Sequence, residues 1–426
     1  MSHDGAMTET APTPLRRNPD YIRLTGGQVV EAVGSGMTGM ALLLLTFELT
    51  GSSAQAGLVS AAYGVGHLAA GLPAGALVDR WDRRRTLVVT GLLLAVVMAT
   101  VPIAGALGTI TFGHLLAVAL VEGCLASFIW PAGRAAIKTI VPPEQLGTAA
   151  TVTQARMSVG SLVGPALSGA LFAVGHVVPL VVNAVLYALA ALGYRSVRTP
   201  LPAPARTPDA SSGLVREIGE GLAWVWRTAP IRDMVAVGMV LNLAANGIFT
   251  VAILALQRDG LPPQGLGLLE SALGACALVG ALLAGLLLRR LRVGTVTIAV
   301  IWSMVVLLAL MPLSPSVWWV GALGCAVSLA LPAVNAGMGA FSLHVTPDGM
   351  QGRAGSASGF VSSAMMPLGI GAAGFLLEHW GRTPALLTYT GLLAVAGVLV
   401  SASRHIRTIP RTEDFARLPQ ASSVPS

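Results

Sequence analysis

The chain has 426 residues, of which 54% are apolar and only 11% are charged, and its formal net charge is +7. A soluble domain carries about 25% charged residues, so this composition argues against a soluble enzyme, a nucleic-acid-binding protein, a disulfide-rich scaffold and a disordered chain. A membrane-spanning helix needs roughly 20 mostly apolar residues, and the chain has enough apolar positions for about a dozen of them.

The first 20 residues are polar and lack an apolar stretch followed by a cleavage site. We predict that residues 1–20 form a disordered cytoplasmic tail and that no removable signal peptide is present. Beyond them, apolar runs separated by short polar breaks predict an all-α integral membrane protein with twelve transmembrane helices. The predicted spans are residues 24–49, 54–78, 86–107, 111–133, 149–174, 177–195, 233–256, 265–288, 294–312, 317–342, 353–377 and 384–402.

The positions of Lys and Arg predict the orientation of these spans. Basic residues concentrate at both chain ends and in the breaks after even-numbered spans, whereas the alternate breaks contain only Arg258 and Arg382. Because cytoplasmic loops collect positive charge, we predict a multi-pass protein of the cell (inner) membrane with both termini in the cytoplasm. Trp318, Trp319 and Trp380 then lie at the outer interface, where aromatic belts are expected.

The longest break divides the spans six and six. We assign residues 21–195 to an N-terminal six-helix bundle, 196–231 to a cytoplasmic linker, 232–403 to a C-terminal six-helix bundle and 404–426 to a cytoplasmic tail. The linker begins with a Pro-rich piece. It continues with apolar residues at helical spacing, which are Leu214, Ile218, Leu222 and Val225. This pattern predicts either a helix on the membrane surface, with Trp224 and Trp226 at the interface, or a plain domain-linking helix.

A repeated phrase indicates that the two bundles are related. VPPEQLGTA begins at Val141 and VTPDGMQGRA begins at Val345, and further on LVGPALSGALF contains Pro165 where MMPLGIGAAGF contains Pro367. Both pairs are about half the chain apart and follow even-numbered spans, so the two halves should have the same orientation. Two parallel six-helix bundles with a substrate path between them are a recurring transporter architecture.

The loop between spans 2 and 3 carries a family signature. It has the sequence GALVDRWDRRRT from Gly75 to Thr86. This loop resembles the signature loop of the major facilitator superfamily, although Asp82 stands where the common pattern has Gly. The phrase FELTGSSAQAGLVSA after span 1 and VPPEQL after span 4 resemble the bacterial branch of macrolide-efflux and enterobactin-exporter-like proton antiporters.

The resemblance implies a conformational latch in this loop. In the family, the Asp and the basic residues after it hold the two halves together in the outward-facing state. Here Asp79 would contact the start of span 11, with Arg134 at the end of span 4 as a relay partner. The alternative is that the arginines are only topology determinants that touch anionic lipid. The implied latch residues are Gly75, Asp79, Arg80, Arg83, Arg84 and Arg134.

Span 5 contains GSLVGPALSG, which resembles the antiporter motif of proton-coupled exporters. Ser168 departs from that motif, which usually ends in paired glycines. Small residues four apart form a close-packing face, and Pro165 removes a backbone hydrogen bond and permits a bend. Plain helix packing is therefore the alternative interpretation. The motif residues are Gly160, Gly164, Pro165 and Gly169.

Ionisable groups at bilayer depth are costly and mark ion or substrate pathways. Glu122 lies halfway along span 4, and Glu31 lies about a third of the way into span 1, so both are proton-coupling candidates. A neutral acid that is hydrogen-bonded to a neighbouring helix is the alternative. We expect Glu48 and Glu270 to be solvated near the outer ends of their spans, and Arg156 to extend to the cytoplasmic interface rather than to pair with a carboxylate.

Asparagines in the spans are candidates for the substrate cavity. Asn242 and Asn246 lie four apart on span 7, and Asn335 lies deep in span 10. In the resembled fold, spans 1, 4, 7 and 10 line the central cavity, so these side chains are expected near Glu31 and Glu122. Hydrogen bonding between helices is the alternative for each of them, as it is for Asn183 in span 6.

These features predict a secondary active transporter, namely a proton-coupled exporter (antiporter) of hydrophobic or amphipathic small molecules such as drugs or secondary metabolites. An importer or uniporter of a small nutrient and a non-transporting membrane sensor are the alternatives. The sequence has no P-loop, no nucleophile motif and no metal-ligand spacing. We therefore predict no enzyme activity, no metal and no cofactor, with the proton gradient as the energy source. We expect a monomer whose partners are a small-molecule substrate and the lipid bilayer, not nucleic acid.

Overall fold

The computed structural model describes residues 14–78, 80–202, 214–347 and 350–417, and the regular structure in these ranges is helical throughout. The α-helices, in chain order, are α1 (Pro19–Thr50), α2 (Ser53–Val78), α3 (Arg83–Ala106), α4 (Phe112–Ile140), α5 (Leu146–Val174), α6 (Val178–Arg195), α7 (Leu214–Arg227), α8 (Ala229–Arg258), α9 (Pro263–Arg290), α10 (Val293–Ala309), α11 (Val317–Val345), α12 (Gln351–Ala364), α13 (Met366–Trp380), α14 (Arg382–Ala402) and α15 (Arg404–Arg407).

Eleven stretches of the described residues are helical, long and apolar enough to cross a membrane, and α12 with α13 counts as one of them. Helix α2 is not among these eleven stretches, but it corresponds to the second predicted span. With α2, the number of spans is the twelve that the sequence predicts. The all-α, twelve-helix fold is thus confirmed.

The first helix begins earlier than predicted. Asn18 Oδ1 accepts hydrogen bonds from the amides of Asp20 and Tyr21, both at 3.1 Å, and Pro19 at the first helical position has no amide to satisfy. The prediction of a disordered tail is therefore wrong for residues 14–20, while residues 1–13 lie outside the described residues.

The eleventh span, predicted as one helix, consists of two. Helix α12 ends at Ala364 and α13 begins at Met366. Pro367 lies in the first turn of α13, and because proline has no N–H it cannot continue the hydrogen-bond ladder of the preceding turn. The bend divides this span into a half near the chain ends and a half remote from them.

The helices form two bundles. In the first bundle, α2 packs on α4, α3 packs on α6, and α1 packs on both α5 and α6. In the second bundle, α9 packs on α11, while α8 packs on α13 and α14. Each bundle is therefore held together by helix pairs of its own half of the chain.

Two helix pairs join the bundles. Between α2 and α13, Gly57 approaches Gly374 and Gly64 approaches Pro367. Between α9 and α5, Gly267 approaches the backbone of Pro165, and Gly274 approaches that of Ser161. The glycines of α2 and α9 have the same seven-residue spacing, and each pair brings a proline of the repeated phrase to the interface. The two interfaces are thus related in the way that the sequence repeat implies.

These contacts lie in the halves of the helices that are remote from the chain ends. On the other side, four glycines face open space: a Cβ atom added to any of them would meet no described atom within 4 Å, and they are Gly71 and Gly75 of α2 and Gly352 and Gly355 of α12. The bundles therefore meet on the side remote from the chain ends and diverge on the side that carries them.

Helix α7 of the linker lies against the second bundle. Gly221 approaches the backbone of Arg353 on α12, and Glu220 forms an ion pair with the Arg353 guanidinium at 2.8 Å. Trp224 is buried in a cluster with residues of α8 and α12, whereas Trp226 is exposed. The prediction that Trp224 lies at the membrane interface is therefore wrong, because its ring packs inside the protein. The side chains of Leu214 and Ile218 lie outside the described residues.

Residues 404–417 pack on the second bundle as well. They form α15 and a turn of 3-10 helix at Thr412–Arg417, and Ile406, Ile409 and Phe415 are buried. The described part of the predicted C-terminal tail is thus an anchored segment, and residues 418–426 lie outside the described residues.

Candidate functional site

Glu122 lies in the middle of α4 and is completely buried. The Tyr187 hydroxyl of α6 donates to Glu122 Oε1 at 2.9 Å and lies 3.4 Å from Thr38 Oγ1 of α1. Asn183, one turn before Tyr187, donates to the same Thr38 oxygen at 2.7 Å. Three helices of the first bundle thus form a connected set of hydrogen bonds around one carboxyl group. We call these four residues, Thr38, Glu122, Asn183 and Tyr187, the Glu122 network.

Close backbone contact holds the network in place. A Cβ atom at Gly66 of α2 would collide with the Leu120 backbone, and one at Gly123 of α4 would collide with the Tyr63 backbone. Helices α2 and α4 therefore touch backbone to backbone beside Glu122, which fixes the turn that carries the carboxyl group. On the other side, Gly34 of α1 leaves the space that Asn183 and Tyr187 occupy.

One oxygen of this carboxyl group is free of hydrogen bonds. Glu122 Oε2 is buried and has no hydrogen-bond partner among the described residues. A proton can therefore be held at Oε2 without breaking the bond from Tyr187. Since Glu122 has no exposed surface, the carboxyl group lies inside the first bundle rather than on the wall of a central cavity.

Glu31 and Arg156 are two further ionisable residues of the same bundle. Glu31 on α1 is half-buried, and Arg156 on α5 is 7% exposed and close enough to interact with it electrostatically. The prediction that Arg156 extends to the membrane interface is wrong, because α5 packs tightly on α1 through Gly160 and Ala32 one turn away. The Arg156 guanidinium also lies 6.0 Å from the Trp130 ring of α4.

The predicted cavity asparagines do not join these carboxyl groups. The amides of Asn242 and Asn246 donate within α8, to Gly238 O at 3.0 Å and to Asn242 O at 2.9 Å. Both side chains are half-buried, and Asn335 on α11 is exposed. All three belong to the second bundle, whereas Glu31 and Glu122 belong to the first, so the predicted meeting of these side chains in a central cavity stays a prediction.

The signature loop makes its contacts within the first half of the chain. Arg83 donates to Thr139 Oγ1 at 3.1 Å, and Arg84 donates to Val197 O at 2.9 Å. Arg80 is exposed, and the Arg134 guanidinium lies 5.8 Å from the Trp130 ring. Asp79 lies outside the described residues, so the predicted contact of Asp79 with the start of span 11 stays a prediction.

The antiporter-like motif of α5 has two faces. Gly160 and Gly164 approach Ala32 and Gly36 of α1 inside the first bundle. Pro165 and Gly169 approach Gly267 and Pro263 of α9 across the bundle interface. Through this motif, α5 contacts both α1, which carries Glu31, and α9 of the second bundle.

A contact that sequence reasoning missed closes the side remote from the chain ends. Glu378 Oε2 at the end of α13 accepts hydrogen bonds from Ser52 Oγ at 2.6 Å and from the Ala54 amide at 2.8 Å. The carboxylate thus caps the first turn of α2 across the bundle interface, where the N-terminal amides favour negative charge. We call this contact of Ser52, Ala54 and Glu378 the outer closure, because the positive charge at the chain ends predicts that this side faces outward. A single acid at the end of a span gives no sequence signal for its partner.

Glu270 was expected to be solvated, and this prediction is wrong. Glu270 is half-buried on α9, between Gly267 and Gly274, which pack against α5. A position near the predicted outer end of a span is less exposed when that part of the span faces the other bundle.

Comparison with known proteins agrees with this architecture. The chain is 27% identical to the multidrug efflux pump Tap of Mycolicibacterium fortuitum, over 93% of this chain and 98% of that protein. It is 24% identical to macrolide efflux protein A of Streptococcus pyogenes, over 91% and 97%. It is 25% identical to the enterobactin exporter EntS of Citrobacter koseri, over 95% and 97%.

Solved structures and family profiles lead to the same conclusion. A variant of the nucleoside transporter NupG superposes with a TM-score of 0.75 at 14% identity, covering 90% of this chain and 99% of that one, which shows a shared fold. The profile of the Major Facilitator Superfamily matches residues 24–233 and 235–421. The protein is thus a multi-pass membrane transporter and not an enzyme, and the chain belongs to the major facilitator superfamily.

Proposed function

We propose that this transporter is a proton-coupled exporter of hydrophobic or amphipathic small molecules. The observation that carries the proposal is the Glu122 network, in which a wholly buried carboxyl group accepts a hydrogen bond from Tyr187 and has no partner for Oε2 among the described residues. Ionisable groups at this depth are costly and mark ion or substrate pathways. The efflux proteins that resemble the chain over more than nine tenths of its length support export as the direction.

The orientation follows from the positive charge near the chain ends. We place both termini in the cytoplasm and the protein in the cell inner membrane, because basic residues collect on the cytoplasmic side. The divergence of the bundles near the chain ends then opens the central path towards the cytoplasm. Substrate enters from that side, and the outer closure separates it from the exterior.

The charges in the first bundle suggest how a proton acts on the cycle. With both carboxyl groups ionised, Glu31 and Glu122 carry two negative charges against the single positive charge of Arg156. One bound proton makes the set neutral. Because unbalanced charge in a low-dielectric interior is costly, protonation changes the relative free energy of the bundle arrangements, and release of the proton to the cytoplasm restores the imbalance.

The substrate class follows from the second bundle. The polar side chains expected along its inner path are the amides Asn242, Asn246 and Asn335, which carry no charge. An uncharged path favours hydrophobic or amphipathic substrates, which need few polar contacts.

The test uses Glu122→Gln, which keeps the size of the side chain and an oxygen that can accept from Tyr187. We expect proton-driven efflux from proteoliposomes to fall to the level of empty liposomes, while substrate binding is kept. The matched control is Glu48→Gln, since Glu48 is an exposed carboxylate at the end of α1. Unchanged gradient-driven efflux in Glu122→Gln would refute the proton role, and substrate accumulation in cells that express the protein would favour an importer.

A further inference from the structure

A cavity of about 350 Å³ lies beside the start of α10, where the C-terminal segment folds back on the second bundle. Three of its lining residues are arginines from two parts of the chain: Arg292 precedes α10, and Arg407 and Arg411 belong to the C-terminal segment. The cavity is lined by Arg292, Arg407, Thr408, Pro410, Arg411 and Asp414.

Backbone hydrogen bonds hold the two parts of this cavity together. The Val293 amide donates to Pro410 O at 3.1 Å, and the Gly294 amide donates to Ile409 O at 3.3 Å. A Cβ atom at position 294 would collide with the Ile406 backbone, so glycine is needed for this close approach.

The C-terminal segment is anchored on the far side of the cavity as well. Thr412 donates to Leu288 O at 3.3 Å. The buried Phe415 ring packs edge-on against Phe341 of α11, with centroids 5.9 Å apart. The positions of Arg407 and Arg411 next to Arg292 are thus set by the fold and not by a free tail.

The charge of the cavity identifies the chemistry of its ligand. All three arginines are exposed, so their guanidinium groups are accessible to a ligand. Asp414 supplies one negative charge against three positive ones. Guanidinium groups bind phosphate through paired N–H donors, so the cavity fits a phosphate group.

The surface next to the cavity shows where that phosphate comes from. Helix α9 packs on α5 through Gly267 and on α11 through Gly280. The end of α9 that leads to Arg292 carries exposed leucines, namely Leu282, Leu283, Leu286, Leu287 and Leu291. In a membrane these leucines meet acyl chains, and the cavity lies where the headgroup of the same lipid would be. Basic pockets at the ends of transmembrane helices bind lipid headgroups in this way.

We propose that Arg292, Arg407 and Arg411 bind the headgroup phosphate of an anionic phospholipid whose acyl chains lie along the exposed leucines of α9. The site uses the C-terminal segment as one wall, so lipid binding and the docking of that segment depend on each other.

The experiment measures lipid binding to the purified full-length protein by native mass spectrometry, with phosphatidylglycerol and phosphatidylcholine as probes. The variant with Arg292→Gln, Arg407→Gln and Arg411→Gln should bind phosphatidylglycerol about tenfold or more weakly than the unmodified protein. The control variant with Arg85→Gln, Arg195→Gln and Arg227→Gln removes the same charge from exposed arginines away from the cavity and should keep the affinity.

A second variant guards against misfolding of the first. Phe415→Ala removes the anchor but keeps every arginine, and it should also weaken phosphatidylglycerol binding. Equal binding to the arginine variant and its control would overturn the proposal, as would equal binding of the two lipids. Binding of glycerol 3-phosphate as tightly as the whole lipid would overturn the lipid source, because it would show that the acyl chains contribute nothing.

Discussion

Tyr187 and Tyr194 lie two turns apart on α6, and both rings are fully buried. The Tyr187 hydroxyl donates to Glu122, whereas the Tyr194 hydroxyl has no hydrogen-bond partner among the described residues. A Tyr→Phe change therefore removes a hydrogen bond to Glu122 at position 187, but no hydrogen bond to a described residue at position 194. Tyr194→Phe serves as the control for Tyr187→Phe.

Tyr187→Phe should lower the free energy of unfolding by about 1–3 kcal/mol, since it leaves the buried Glu122 carboxyl group without its donor. It should also impair proton-driven efflux, because the carboxyl group loses the hydrogen bond from the Tyr187 hydroxyl. Thermal unfolding and proteoliposome transport measure the two effects. Tyr194→Phe should change neither, and an equal loss in both variants would show that ring packing and not the hydrogen bond matters.

At the residue scale, the sequence identifies which ionisable residues are candidate functional groups, but it does not identify the side chains that contact them. Glu122 and Glu31 stand out because a carboxyl group is rare in an apolar run. Tyr187 gives no such signal, because an aromatic residue in a membrane helix is ordinary core material. Arg156 was placed wrongly, since a long basic side chain near a helix end can either extend to the interface or pair inward, and only the packing of α5 on α1 decides between them.

At the scale of helices, the glycines of α13 and α14 differ in their surroundings. A Cβ atom at Gly374 of α13 would collide with the Ser53 backbone on α2, whereas one at Gly391 of α14 would meet nothing within 4 Å. Both positions are inside helices, where alanine is favoured over glycine by about 1 kcal/mol.

Gly374→Ala should therefore separate α13 from α2 and weaken the closed arrangement, while Gly391→Ala should leave it unchanged or stabilise the protein. The measurement is the reaction of a cysteine at Ser53→Cys, a conservative change at a buried position of α2, with a membrane-impermeant thiol reagent, in a background without native cysteines. Faster labelling is expected with Gly374→Ala. The same labelling rate in both variants would contradict the role of this contact.

The length of apolar runs predicts the helices well, because roughly 20 apolar residues are needed to cross a bilayer. Their ends are predicted less well, because local hydrogen bonds such as those of Asn18 set them. The break between α12 and α13 had a signal in Pro367, but Pro73, Pro102, Pro131, Pro165 and Pro332 lie inside unbroken helices. Packing of the neighbouring helices decides which proline interrupts a span.

At the scale of the whole molecule, the outer closure adds a polar contact to the packing of glycines. Hydrogen bonds to a charged acceptor contribute about 1.5–3 kcal/mol each. Since the bonds from Ser52 and Ala54 exist only while the bundles meet on that side, they favour the closed arrangement over an open one.

Glu378→Gln should shift molecules towards an arrangement that is open on the outer side, by roughly tenfold in population if about 1.4 kcal/mol is lost. Spin labels at the exposed positions Val174→Cys and Leu313→Cys, one in each bundle, report the distance. Ser52→Ala should add little to Glu378→Gln if the two residues act through one contact. Fully additive shifts would argue against a direct interaction, and Glu48→Gln serves as the charge control.

The repeat in the sequence predicts two similarly oriented bundles, and the structure adds that Pro165 and Pro367 of the repeated phrase lie at the contacts between them. Which side is open could not be predicted, because a transporter has several arrangements of the same bundles that differ by small free energies. The outer closure was missed for the same reason, since its two partners lie 326 residues apart in the chain.

The connection between the bundles has firm attachments at both ends. Asp20 and Arg84 of the first bundle hold the backbone at Val197, Arg198 and Thr199, and α7 is fixed to the second bundle by the ion pair of Glu220 and Arg353. The chain from Leu201 to Leu214 can span at most roughly 45 Å. The contour length of this stretch therefore limits how far the two bundles can swing apart at the end that carries the chain termini.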